Sequence, residues 1–238
     1  MRTSAVLAFL FLVAAAPSDP SPVSGSKQLI VVITPDWSST SAVMTRYDLR
    51  DGKWEPAAAP TTVILGRTGL AWGRGVSQRD TEGGPVKREG DGKAPAGVFR
   101  LGPAFGFNGA PASLRMPYLQ LRDTTECVDD SSSSHYNTIV DRSAVARVDW
   151  SSSEKMRSIG VYEHGVVVVQ NDPPRPAGGS CIFLHLVDPK GRPTAGCTSM
   201  NAEAMQALLR WLDPARTPLL VQLPQSEYDR LRSLWRLP

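Results

Sequence analysis

The chain has 238 residues, 41% of them hydrophobic, which is enough to bury a core and too little for a multispanning membrane protein. Its 20 glycines and 20 prolines favour turns and short strands over a helical bundle. A net charge of +3, without basic runs interleaved with aromatics, argues against nucleic acid as a partner.

Arg2 is followed by an apolar run from Ala5 to Ala16 and then by Pro and Ser. The run is too short to span a bilayer and matches a secretory signal over 1–16, cut near Ala15 or Ala16. No cysteine follows it, so no lipid anchor is expected. The mature protein is expected in the periplasm or cell-wall space, where disulfides persist. Residues 17–27 read as a polar linker and 28–238 as a single domain.

From Gln28 onward, QLIVVIT, SAVMTRYDL and TTVILG are rich in β-branched residues and bounded by turn formers, as strands are. Asp51-Gly52, between two such runs, marks a hairpin. AGVFRLG, YLQLRD, TIVDR, GVVVVQND and CIFLHLV add further strands. Two segments carry helical periodicity. Asn201–Leu212 has Met205, Leu208, Leu209 and Leu212 on one stripe, and Gln225–Leu234 has Tyr228, Leu231 and Leu234 in register. Asp213-Pro214 ends the first. The expectation is a mainly β domain with one or two packed helices.

EGDGKAPAGVF, Glu89 to Phe99, resembles a phosphate loop only superficially. Lys87 stands where a Walker loop needs its first Gly, and Ala94 where it needs Ser or Thr. It reads instead as a tight loop entering a strand.

Three cysteines, Cys127, Cys181 and Cys197, leave at least one thiol unpaired, which is uncommon outside the cell unless the thiol is used. A cysteine nucleophile needs a base, and the chain offers His135, His164 and His185. On a strand from Cys181 to Val187, alternation would put Cys181, Phe183 and His185 on one face. Cys197 follows a Pro/Gly loop that can return beside that strand. It precedes a helix expected to start near Ser199 or Asn201, whose amides, with His185, would lower the thiol pKa toward roughly 4–7. No CxxC or His/Cys spacing suggests zinc, so no metal and no cofactor are expected.

GSCIFLH followed by PTAGCTSM resembles the catalytic core of the L,D-transpeptidases, the YkuD-type domain that cross-links peptidoglycan. EGDGKAPAGVFRLG, CVDDSSSSHYNTIVD, SSEKM and GVVVVQNDPP are similar to the subgroup with this spelling, so the likeness runs over about Gln28 to Leu223. The resemblance implies a mixed-sheet β-sandwich or open barrel with the cysteine at its rim. It implies Cys197 as nucleophile and His185 as base, with backbone amides around Gly196 and Cys197 as the oxyanion hole and Ala195, Thr198 and Ser199 around the substrate. It implies stem peptides of peptidoglycan as substrate and a role in cell-wall biogenesis and cell shape; a monomer is expected. Ala195 stands where the family usually has His, and Ser199 where it usually has Arg. An L,D-carboxypeptidase or endopeptidase using the same site is the alternative among enzymes, and an inactive wall-binding module the alternative outside them.

With Cys197 assigned to catalysis, Cys127 and Cys181 remain as a pair for a disulfide, which would pin the polar loop CVDDSSSS. The other reading makes Cys181 a second thiol lining the site.

Overall fold

The computed structural model describes residues 21–78 and 81–238. The signal expected at 1–16 and the first part of the expected linker lie outside the described residues.

Fourteen strands follow one another among the described residues. They are β1 (Gln28–Thr34), β2 (Ser41–Arg50), β3 (Lys53–Pro56), β4 (Thr61–Ile64), β5 (Leu70–Trp72), β6 (Ala94–Gly106) and β7 (Tyr118–Gln120), then β8 (Thr125–Val128), β9 (Ile139–Asp141), β10 (Ser153–Lys155), β11 (His164–Val169), β12 (Phe183–Leu186), β13 (Thr198–Met200) and β14 (Leu219–Pro224). Helices α1 (Ala202–Trp211) and α2 (Gln225–Trp235) complete the fold.

Eight strands pair in the order β1-β14-β6-β11-β12-β13-β4-β2, and β2 returns to pair with β1. The ring therefore closes. This corrects the expected sandwich or open barrel: closure leaves β1 paired on both edges, and six of its seven residues are buried. Two contacts in the ring are parallel, β1 with β14 and β12 with β13, so the sheet is mixed. β3 hangs from β2 through the expected hairpin, where Asp51 and Gly52 adopt φ of 48° and 76°.

Both helices form where the periodicity predicts. Asn201 caps α1 by accepting the Ala204 N–H at 2.8 Å, and Met205, Leu208 and Leu209 are buried. In α2, Tyr228 and Leu231 face inward, but Leu234 is 59% exposed and Trp235 takes the buried position instead. Residues 21–27 are also less linker-like than expected. Val23 and Ser26 are buried, and the Lys27 amide donates to Arg216 O at 2.8 Å.

Apolar burial divides into two clusters. The larger fills the barrel and the space under the helices, with Leu29, Phe99, Leu184, Leu220, Leu208 and Leu231 among its members. The smaller gathers Phe105, Met156, Tyr162 and Phe183 with all three cysteines. It lies beneath a separate three-stranded sheet, β10-β8-β9, inserted between β7 and β11. The polar loop after β8 is ordered by its own chemistry. Asp130 accepts from Ser132 and Ser151, and Asp149 accepts from Ser133 and Ser134. Among the described residues no helix is long and apolar enough to cross a membrane.

Candidate active site

Cys197 is the free cysteine. It ends a loop between β12 and β13 that is fixed from two sides. Thr194 N donates to Leu65 O at 2.9 Å, and Arg67 N donates to Thr194 O at 2.8 Å. The Thr194 hydroxyl donates to Cys197 O at 2.6 Å and accepts the Gly196 N–H at 3.1 Å. A side chain at Gly196 would be crowded, because a Cβ there would lie 3.1 Å from Lys93 O and 3.3 Å from Ile182 Cδ1.

Parallel pairing puts Ser199 opposite His185. Cys197, two residues earlier, returns to the same side, and both side chains line one cavity of about 550 Å³. Each is 6% exposed. His185 Nδ1 lies 2.7 Å from the Leu186 carbonyl oxygen. A carbonyl only accepts, so Nδ1 carries the proton and Nε2 keeps its lone pair. The Tyr162 ring stands edge-on to both His185 and Phe183, with centroids 5.3 Å away in each case.

The thiol is enclosed rather than activated at rest. Burial pushes the Cys197 pKa up to about 12, and the Glu154 carboxylate adds to the rise. The Phe183 N–H, which donates to Sγ at 3.3 Å, pulls the other way. Burial also depresses His185 to about 4 against the pull of the Leu186 carbonyl. The resting pair is therefore neutral thiol and neutral imidazole. The direction is opposite to the expected lowering, first because the thiol is buried and second because the helix lies too far off to offset it. β13 intervenes between Cys197 and α1, so the helix N-terminus begins five residues on, at Ala202, beyond the reach of its dipole.

Two groups that the sequence reading did not nominate complete the pocket. The Tyr162 hydroxyl lies beside the Cys197 thiol and donates to Glu154 Oε2 at 2.7 Å. Burial raises Glu154 to about 7, partly offset by that hydrogen bond. Neither is marked by residue type or spacing: Glu154 lies in SSEKM, a segment of the resemblance to which no role is attached, and Tyr162 in the short 3-10 turn Gly160–Glu163.

Ala195 and Gly196 line the cavity, whereas Thr198 and Ser199 do not. The Thr198 hydroxyl donates to Gln222 Oε1 at 2.7 Å, and that of Ser199 to Ile64 O at 3.2 Å, so both are occupied in the sheet. The Gly196 amide is taken by Thr194, which weakens its claim as an oxyanion donor. Of the remaining histidines, His135 packs edge-on against Trp150, and His164 faces a separate small cavity with Pro111 and Leu114.

Cys127 and Cys181 form a disulfide, with Cα atoms 6.0 Å apart. Cys181 also touches the cavity, so the bridge and the site are contiguous. Its backbone departs from the expected strand: φ is +54°, its N–H donates to Asn137 Oδ1 at 3.1 Å, and β12 starts only at Phe183. The anticipated shared face of Cys181, Phe183 and His185 therefore reduces to the last two. Among the described residues no group of His, Cys, Asp and Glu is placed to hold a metal ion.

No family model matches the chain, and no curated protein does. Among solved structures, Bd1075 of Bdellovibrio bacteriovorus is similar at a TM-score of 0.43 and 12% identity, over 92% of this chain and 58% of that one. The helical cell shape determining protein Pgp2 of Campylobacter jejuni is similar at a TM-score of 0.41 and 13% identity, over 84% of this chain and 48% of that one. The chain thus spans about half the length of these structures. At such scores the chemistry of the site rests on its own residues.

Proposed function

We propose that this protein is an exported cysteine acyltransferase of the L,D-transpeptidase type, acting on peptidoglycan stem peptides. The observation that carries the reading is the shared cavity of Cys197, the free thiol, and His185, whose ring is held with Nδ1–H toward Leu186 and Nε2 unprotonated. The disulfide fits an oxidising compartment.

In the proposed reaction the Cys197 proton passes to His185 Nε2 as sulfur attacks the carbonyl between the third residue of the stem and its terminal D-Ala. The imidazolium then protonates the departing D-Ala nitrogen, leaving a thioester on Cys197. The amine of a second stem attacks the thioester, gives its proton to His185, and restores the thiol. Because thiol and imidazole both rest neutral, the proton moves only as the carbon–sulfur bond forms. The Cys197 backbone amide is assigned as the donor to the oxyanion. Tyr162, held by Glu154, closes the apolar side of the pocket.

Incubation of the mature protein with purified tetrapeptide muropeptides, followed by mass spectrometry, tests the reading. Cross-linked dimers with loss of D-Ala are expected. Tripeptides without dimers would establish hydrolysis instead, and unchanged muropeptides would exclude both.

A further inference from the structure

Seven charged side chains line the Cys197 cavity: Arg67, Lys87, Glu89, Asp129, Glu154, Asp188 and Arg192. Six have a partner within the protein. Lys87 pairs with Asp91 at 2.5 Å, and Arg192 with Asp188 at 2.7 Å. Glu89 accepts from Tyr136 and Ser180, Asp129 from Ser152, and Glu154 from Tyr162. Among the described residues the Arg67 guanidinium has none.

Arg67 is exposed, but its loop is not free. Its own amide donates to Thr194 O, and the bridge between Gly66 and Thr194 continues that pairing, so its backbone is tied to the loop that ends in Cys197. On the other side, Thr68 N donates to Gly92 O at 3.1 Å, and the Thr68 hydroxyl donates to Asp91 O at 2.6 Å. The Arg67 side chain lies across Gly92. A Cβ there would come within 3.0 Å of Arg67 Cγ, Nε and Cζ. The glycine at φ +68° thus leaves room for the guanidinium where any side chain would displace it.

We propose that Arg67 is the carboxylate-binding residue of this cavity, receiving the C-terminal carboxylate of the donor peptide whose preceding carbonyl Cys197 attacks. The second half rests on the function proposed above. A planar guanidinium matches a carboxylate through two parallel hydrogen bonds, and the other cations of the cavity already have anionic partners. A stem peptide carries a carboxylate on the residue that leaves, two bonds beyond the departing nitrogen. Holding it would orient the scissile carbonyl toward sulfur.

Alkylation of Cys197 tests the site without reference to any natural substrate. Iodoacetate carries a carboxylate and iodoacetamide does not, and the ratio of their rates at Cys197 is read by peptide mass spectrometry. In Arg67→Gln the iodoacetate/iodoacetamide ratio is expected to fall about fivefold, the upper end for an exposed ion pair, with Arg67→Lys intermediate. Arg192→Gln, which removes a cavity cation already paired with Asp188, should change the ratio less than about twofold. A ratio unchanged in Arg67→Gln, or falling equally in both variants, overturns the assignment. Melting curves of the variants confirm that each is folded. With stem peptides, amidating the terminal carboxylate should raise KM about tenfold in the parent and have little effect in Arg67→Gln. An equal effect of amidation in both overturns the substrate half. Lack of turnover of every stem by the parent would count against the proposed function, while the alkylation ratio still decides whether Arg67 binds carboxylate.

Discussion

The Cys181 carbonyl oxygen lies 3.5 Å from the Cys197 sulfur, so the thiol rests against one end of the Cys127–Cys181 bridge. The disulfide therefore does two things. It ties β8, in the inserted sheet, to the segment entering β12, and it fixes a backbone group in contact with the candidate nucleophile.

Replacing Cys127 and Cys181 together by Ser should lower the melting temperature by about 10 °C. The bridge closes a separation of 54 residues, for which the chain-entropy model gives about 4 kcal/mol. Released from the tether, Cys197 should also alkylate faster. Calorimetry and timed iodoacetamide labelling measure the two effects. Unchanged labelling would show that the bridge steadies the fold without shaping the site.

His185→Gln should reduce the proposed acyl transfer at least about a hundredfold, because His185 is the one histidine among the described residues that line the cavity. Its pH signature differs from that of an exposed histidine. Burial depresses the folded pKa to about 4, below the ordinary 6.5. The unfolded chain therefore takes up the proton first, and stability present above pH 6.5 is lost as pH falls toward 4. His185→Gln should not show that loss. Parallel melting curves across this range check the sign, and coincident pH dependence would contradict a buried neutral imidazole.

Glu154 behaves oppositely. Its folded pKa is raised from 4.5 to about 7, so its favourable contribution holds below pH 4.5 and fades as pH rises through 7. Glu154→Gln keeps an acceptor for Tyr162 and removes the charge. Above pH 7 it should be more stable than the parent by about 2 kcal/mol, with no difference at pH 4. Because the carboxylate also raises the Cys197 pKa, the variant thiol should react faster at pH 8. Slower alkylation in the variant would contradict the electrostatic account of the pocket.

The sequence made the local elements legible and the long-range ones not. Asp51-Gly52 announced its hairpin, and the stripe from Met205 to Leu209 its helix, because both signals act within a few residues. Pairing of β1 with β14 sets Leu29 beside Leu219, far away along the chain, and alternation says nothing about which strand lies alongside. Cys197 and His185 could be nominated because three cysteines and three histidines leave few candidates for a thiol and an imidazole, and the structure places both on one cavity. Glu154 was not, since its polar neighbours resemble any solvated turn until Tyr162 folds over it. Thr198 and Ser199 failed as site residues because β13 turns their hydroxyls into the sheet.

The central claim is a covalent acyl-enzyme on Cys197. Intact-protein mass spectrometry after brief mixing with a tetrapeptide stem measures it directly. The account predicts a mass increase equal to the stem minus D-Ala, labile to hydroxylamine, mapped to the Cys197 peptide and absent from Cys197→Ala. No adduct in the parent, or an equal adduct in Cys197→Ala, would contradict it.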